Sequence, residues 1–215
     1  MDFRLLCAAS SLLATTAARP VYAQSFLSPP HASSLHFVQY GVSLTTENLA
    51  SAGGVCTDKA VEPCILGSGL GIAIRMGYRS HGPLHIGGAY EATRHDSSNI
   101  LRLAILQQIR GEVRYLFDQG TRLSPFALGG VGLGLFGNEW GVETLGPSLH
   151  VGVGVEYQAS EAALVGLGLT WRGITFREWT DSTGQRRAND LLGFALSQWI
   201  AFEITLEIRK LLPRW

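Results

Sequence analysis

From Leu149 to Tyr157, apolar and polar positions alternate one by one. Leu149, Val151, Val153, Val155 and Tyr157 share one side of an extended chain, and His150, Gly152, Gly154 and Glu156 share the other. Alternate side chains point to opposite faces only in a β-strand, so this stretch predicts one. Leu35 to Thr45 sets His36, Val38, Tyr40, Val42 and Leu44 against Gln39, Gly41 and Ser43. Gly67 to Arg79 sets Leu70, Ile72, Ile74, Met76 and Tyr78 against Gly69, Gly71, Ala73, Arg75, Gly77 and Arg79. Leu84 to His95 alternates more weakly, with Leu84, Ile86, Gly88, Tyr90 and Ala92 opposite His85, Gly87, Ala89, Glu91 and Thr93.

Ile100 to Phe117 places Leu101, Leu103, Ile105, Ile109, Val113, Tyr115 and Phe117 against Arg102, Gln108, Arg110, Glu112 and Arg114. Its composition also suits a helix. At helical spacing, however, Arg110 and Arg114 would interrupt the stripe of Leu103 and Leu106, so a strand is expected. Phe126 to Gly137 alternates Val131, Leu133 and Leu135 with glycines. Val165, Leu167, Leu169 and Trp171 face away from Gly166, Gly168, Thr170 and Arg172. The last strand, Leu192 to Arg209, sets Phe202, Ile204, Leu206 and Ile208 against Glu203, Thr205, Glu207 and Arg209.

The pattern therefore predicts eight strands. No connection has room for a crossover helix, which makes the sheet antiparallel. The glycine run at 130–134 resembles a dinucleotide loop only superficially, because no helix follows it. Connections at 80–83, 118–125 and 160–162 are short or moderate, and those at 46–66, 138–147 and 178–190 are long. The 96–99 connection breaks the alternation of long and short. Such alternation is expected of an outer-membrane barrel, with long loops outside and short turns in the periplasm.

Composition narrows the class. The chain has 215 residues, 46% of them hydrophobic, 26 glycines and a formal net charge of 0. Balanced charge gives no nucleic-acid signature. Arg4, the apolar run Leu5 to Ala18 and the small residues around Ala23 read as a signal peptide over 1–23, cleaved before Gln24. Residues 24–34, with Pro29 and Pro30, form a flexible lead, and the barrel is expected over 35–215. Cleavage removes Cys7 and leaves Cys56 and Cys64, which read as a disulfide in an exported chain. A metal site is the alternative, but two thiols without nearby histidine fall short of a ligand set. No window holds about 20 unbroken apolar residues, as a membrane helix requires.

Two arrangements fit these strands: a soluble lipocalin-like barrel with charges outside, or a membrane barrel with charges inside. Tyr78, Tyr115 with Phe117, and Tyr157 each end an apolar face just before a short turn. With Trp171 they suit an aromatic girdle at a lipid interface, although unrelated core aromatics would also give such positions. The opposite face then fills the lumen with Arg75, Glu91, Arg102, Arg110, Glu112, Arg114, Glu156, Arg172 and Glu203. Eight strands leave room only for side chains, so a charged and plugged lumen is expected, with inward glycines making space for arginines to meet glutamates.

The signal, the eight alternating segments, the girdle tyrosines and the terminal Trp215 together resemble the small eight-stranded OmpA-like and OmpX-like barrels of Gram-negative outer membranes. The resemblance spans Leu35 to Trp215 and implies an all-β, up-and-down transmembrane barrel in the cell outer membrane, surrounded by its lipids and lipopolysaccharide. That family ends its last strand with an aromatic in phase with the lipid face. Trp215 is out of phase with Phe202 to Ile208 and follows Pro213, so either the strand bulges or the terminal stretch lies outside the barrel.

Candidate chemistry is sparse. No histidine has metal-ligand spacing, and no cofactor is implied. Ser148, His150 and Glu156 share one strand face. The lipid A deacylase barrels place His before Ser, the reverse of this order, and Glu156 stands ~20 Å along the strand from His150 at ~3.3 Å per residue. Polar filling of the lumen is the plainer role. Trp140, Trp179 and the cysteine loop fall at the outer rim, where they serve either partner binding or interfacial anchoring. The expected function is a non-enzymatic outer-membrane barrel, structural, adhesive or part of an envelope complex acting through its external loops. A lipid A or phospholipid-modifying enzyme, a soluble carrier and a small-solute pore are the alternatives.

Overall fold

The computed structural model describes residues 36–56, 64–80, 82–117, 121–176, 178–180, 186–188 and 195–212. The segment 1–35 and the terminal 213–215 lie outside these, and with them the signal, the flexible lead and Trp215. The strands are β1 (Phe37–Ser51), β2 (Gly69–Arg79), β3 (Leu84–His95), β4 (Ala104–Leu116), β5 (Leu123–Asn138), β6 (Thr144–Gln158), β7 (Ala163–Phe176), a small hairpin of β8 (Glu178–Thr180) and β9 (Arg186–Ala188), and β10 (Ala195–Leu211). Eight of them close a barrel in the order β1-β10-β7-β6-β5-β4-β3-β2, and every neighbouring pair is antiparallel. Closure leaves no sheet edge unpaired, the condition for placing strands in lipid.

The barrel is staggered. Following paired residues from Tyr40 through Met76, Gly88, Gly111, Val131, Leu149, Gly173 and Gln198 leads back to β1 at Ser51 rather than at Tyr40. Strands must tilt against the axis for such a ladder to close. A register shift between Leu49 and Ser51 lies at the seam.

Alternation along each strand becomes inside and outside. Tyr40, Val42, Leu44, Ile72, Ile74, Met76, Ile109, Val131, Val153, Phe202 and Ile204 all face outward, with Val131 64% and Met76 68% exposed. A soluble protein does not leave so continuous an apolar band in water. Where a polar side chain joins this face it finds a partner: Tyr90 Oη donates to Gln107 Oε1 at 2.8 Å.

Several expected boundaries move. β4 begins at Ala104, so the connection from β3 is 96–103 rather than 96–99, and it no longer breaks the long–short order. Leu101, expected on the lipid face, is instead buried. β6 begins at Thr144, so the 138–147 loop shrinks to 139–143, where Gly141 N donates to Asn138 O at 3.1 Å and Glu143 N to Phe136 O at 3.0 Å. Within the expected 178–190 loop lies the β8–β9 hairpin.

Candidate functional site

The interior holds a column of charge. Glu47, Glu91, Glu112, Glu156, Glu203 and Glu207 are buried there with Arg75, Arg79, Arg110, Arg114 and Arg172. Each sits at an in-phase position of its strand, so the period that puts leucine and valine into lipid puts these groups inside. Near the short turns, Arg79 Nη1 meets Glu156 Oε1 at 2.7 Å. Arg114 Nη2 then binds Glu207 Oε1 at 3.0 Å and Glu112 Oε1 at 2.9 Å. Arg75 Nη2 reaches Glu203 Oε2 at 2.6 Å and Glu112 Oε2 at 3.5 Å. Arg110 joins Glu203 at 3.0 Å and also pairs with Glu91. Arg172 pairs with Glu47 and Glu203 and meets Glu91 Oε1 at 2.7 Å.

The last rung is His95. Its Nε2 stands 2.9 Å from Glu47 Oε2, and its Nδ1 lies 2.8 Å from Gly67 O. Both ring nitrogens thus face oxygen atoms, one of a carboxylate and one of a backbone carbonyl. Each of the six buried carboxylates has a guanidinium or imidazole nitrogen within 4 Å. Charges removed from water need such complete pairing, because desolvation otherwise outweighs their attraction.

Above His95 the lumen becomes apolar. Leu106 of β4, Phe136 of β5, Ile174 and Phe176 of β7 and Trp199 of β10 pack with Leu101, Ala104, Ile65 and Leu66. His95 lies edge-on to both Trp199 and Phe136. Ile65 and Leu66 belong to no strand. They come from the end of the β1–β2 connection just before β2 and sit in the barrel mouth, 3% and 2% exposed. Cys56 and Cys64 of that connection form a disulfide, with Cα atoms 5.4 Å apart.

Glycines set the floor beneath the wider side chains. A methyl group on Gly77 would collide with the His85 ring, one on Gly130 with His150, and one on Gly154 with Phe126. At Gly41 it would approach Glu207 Cγ to 2.9 Å. The inward glycines therefore make room for histidine, phenylalanine and glutamate, and at Gly132 for the stem of Arg110, whose Cβ a methyl group there would approach to 2.9 Å.

Of the residues singled out in the sequence, Arg75, Glu91, Arg110, Glu112, Arg114, Glu156, Arg172 and Glu203 meet inside the barrel. Arg102 does not. Because β4 starts after it, Arg102 lies outside the barrel, 86% exposed, and pairs with Glu139 at 3.4 Å. Glu47, Arg79, Glu207 and His95 also belong to the column; Arg79, Glu207 and His95 fall in phase with Arg75, Glu203 and Glu91, whereas Glu47 lies beyond the expected end of the first strand. Tyr78, Tyr115 and Tyr157 face outward, each as the penultimate residue of its strand at the short-turn end. Tyr78 stacks on His36 and hydrogen-bonds it, and Phe117 packs edge-on against Tyr115. Trp171 is not part of this ring: it pairs with Val151, whereas Tyr157 pairs with Val165. That separation is ~20 Å along the strand at ~3.3 Å per residue. The half-buried indole of Trp171 donates to Gln198 Oε1 at 3.1 Å.

Ser148 and His150 both point into the lumen and are buried, and neither hydrogen-bonds the other. Glu156 is engaged by Arg79 instead. The three residues form no relay. Among the described residues no cluster of three or more His, Cys, Asp or Glu is placed to hold a metal ion.

A closed antiparallel barrel with an apolar outside and a charged, capped inside is an integral outer-membrane barrel. No protein-family model matches the chain, and no curated protein does. Among solved structures it is similar to Neisserial surface protein A, at 18% identity and a TM-score of 0.50, over 81% of this chain and 95% of that one. It is also similar to the outer-membrane protein OprG of Pseudomonas aeruginosa, at 13% identity and a TM-score of 0.52, over 82% of this chain and 96% of that one. The chain has the fold of the small eight-stranded outer-membrane barrels.

Proposed function

We propose that this protein is a non-enzymatic outer-membrane barrel that acts through its external loops, as a structural or adhesive element or as one component of an envelope complex. A signal over 1–23 would export it, with cleavage near Ala23. The observation that carries this reading is the column of paired charges from Glu207 to His95, closed above by the Trp199 cluster. A solute path would have to break several buried ion pairs at once, and losing even one partner of such a pair is costly. Lipid and lipopolysaccharide surround the wall. Protein partners meet the connections at 52–68, 96–103 and 139–143. On the 139–143 turn Trp140 projects 66% exposed, while Glu139 N donates to Leu103 O at 2.7 Å and braces the turn.

Crosslinking in intact cells, followed by detergent extraction and pull-down of the full chain, tests this reading. An envelope protein captured by the native chain and lost with Trp140→Ser supports it. Mass spectrometry of lipid A from cells with and without the protein provides the other arm. A changed acyl pattern would replace the reading with an enzymatic one.

A further inference from the structure

We propose that residues 64–67, tied back to Cys56 by the disulfide, form a lid on the outer mouth. The lid opens and closes as a unit while the barrel wall stays intact, and its position sets whether water-soluble molecules outside reach the charged column.

Three observations carry this. First, the lid is built differently from the wall. Wall strands are joined by continuous backbone ladders. The lid is seated by two apolar side chains, Ile65 and Leu66, and by a few single hydrogen bonds. Gly67 O accepts from Trp199 Nε1 at 3.2 Å and from His95 Nδ1 at 2.8 Å, and Ser68 O accepts from Asp96 N at 2.9 Å. Segments with few such ties open locally at lower free energy than strands held along their whole length.

Second, the disulfide joins the two ends of the loop where each meets the barrel. On the Cys56 side, Ser197 Oγ donates to Ala52 O at 3.1 Å. Gly53, at φ +61°, lets the backbone pass so close to Leu196 that a side chain would strike its carbonyl. A short covalent loop anchored at one end holds the other end near the mouth and limits the conformations open to an unseated lid.

Third, the groups under the lid are suited to water. Among the described residues, Ser43 Oγ, Thr45 Oγ1, Ser148 Oγ and His150 Nε2 are buried with no hydrogen-bond partner. Ser148 pairs in register with Ile174, a member of the apolar cluster, and so stands beside it on the neighbouring strand. Polar atoms in such places are ordinarily satisfied by water. The apolar cluster and the lid therefore stand between these polar groups and the exterior, and His95 touches both the charged column and the cluster.

The test uses the full chain folded in lipid nanodiscs. Hydrogen exchange of the Trp199 indole N–H, assigned by its loss in Trp199→Phe, reports the seat of the lid. Labelling of Ser148→Cys by a cationic methanethiosulfonate added in solution reports access. Ile65→Ser/Leu66→Ser keeps the disulfide and unseats the lid, and Cys56→Ser/Cys64→Ser removes the tie. Indole exchange is expected to rise about tenfold or more in both variants while the amides of Val42, Ile109 and Val153 stay protected. The label is expected to reach Ser148→Cys about tenfold faster or more when Ile65 and Leu66 are replaced. Unchanged indole exchange, or strand amides that loosen with it, would overturn the lid as an independent unit. Equal labelling rates would overturn its control of access.

Discussion

Arg172 of β7 and Glu91 of β3 stand on opposite walls of the barrel and meet across its full width, with Nη1–Oε1 at 2.7 Å and Nη2–Oε2 at 3.1 Å. Two side chains thus span the lumen, and each is tied further: Glu91 to Arg110, Arg172 to Glu47 and Glu203. Glu91→Gln leaves two buried guanidiniums short of a counter-charge. It is expected to destabilise the folded barrel by about 3–5 kcal/mol, the usual cost of breaking a buried pair from one side. Urea unfolding in lipid vesicles, followed by tryptophan fluorescence, measures it.

Arg102 provides the contrast. Its pair with Glu139 is solvent-exposed and lies outside the barrel. Arg102→Ala is expected to change stability by less than about 1 kcal/mol in the same assay, as exposed pairs do.

The outward face should respond to charge by depth. Val131 lies well inside β5, and Leu84 opens β3 at the short-turn end. In vesicles, Val131→Arg is expected to cost about 2–4 kcal/mol and Leu84→Arg about 0–1 kcal/mol. A soluble barrel would tolerate both alike, so equal and small effects would contradict lipid as the solvent of this face.

Gly77 and His85 form a space-sharing pair inside the barrel. Gly77→Ala is expected to cost about 1–3 kcal/mol by overpacking. His85→Ala should recover part of that loss, giving a coupling of about 0.5–3 kcal/mol in a double-mutant cycle. Strict additivity would show that the ring does not rest on that glycine.

The wall was the legible part of this chain. Strict alternation at Leu149 to Tyr157 and at Ile109 to Phe117 leaves one way to place each residue once the outside is lipid, and the aromatic ends of Tyr78, Tyr115 and Tyr157 reinforce it. Strand ends were less legible, because alternation in sequence can outrun the hydrogen-bond ladder. Arg102 keeps the phase of Arg110 yet lies beyond the last rung, and Leu101 keeps the phase of Ile109 yet turns into the apolar cap. The opposite error hid Glu47: β1 was expected to end at Thr45, but pairing with β10 carries it to Ser51. The cap itself had almost no local signal. Ile65 and Leu66 are two apolar residues beside a cysteine in a polar connection, and only their contact with Trp199 and Phe136, far away in sequence, reveals where they go.

The closed interior is the central claim, and planar-bilayer recording of the purified full chain tests it most directly. The column of ion pairs and the capped mouth predict no stable, large conductance for the native protein. A stable, large open-channel conductance would contradict a plugged lumen and turn the reading toward a pore.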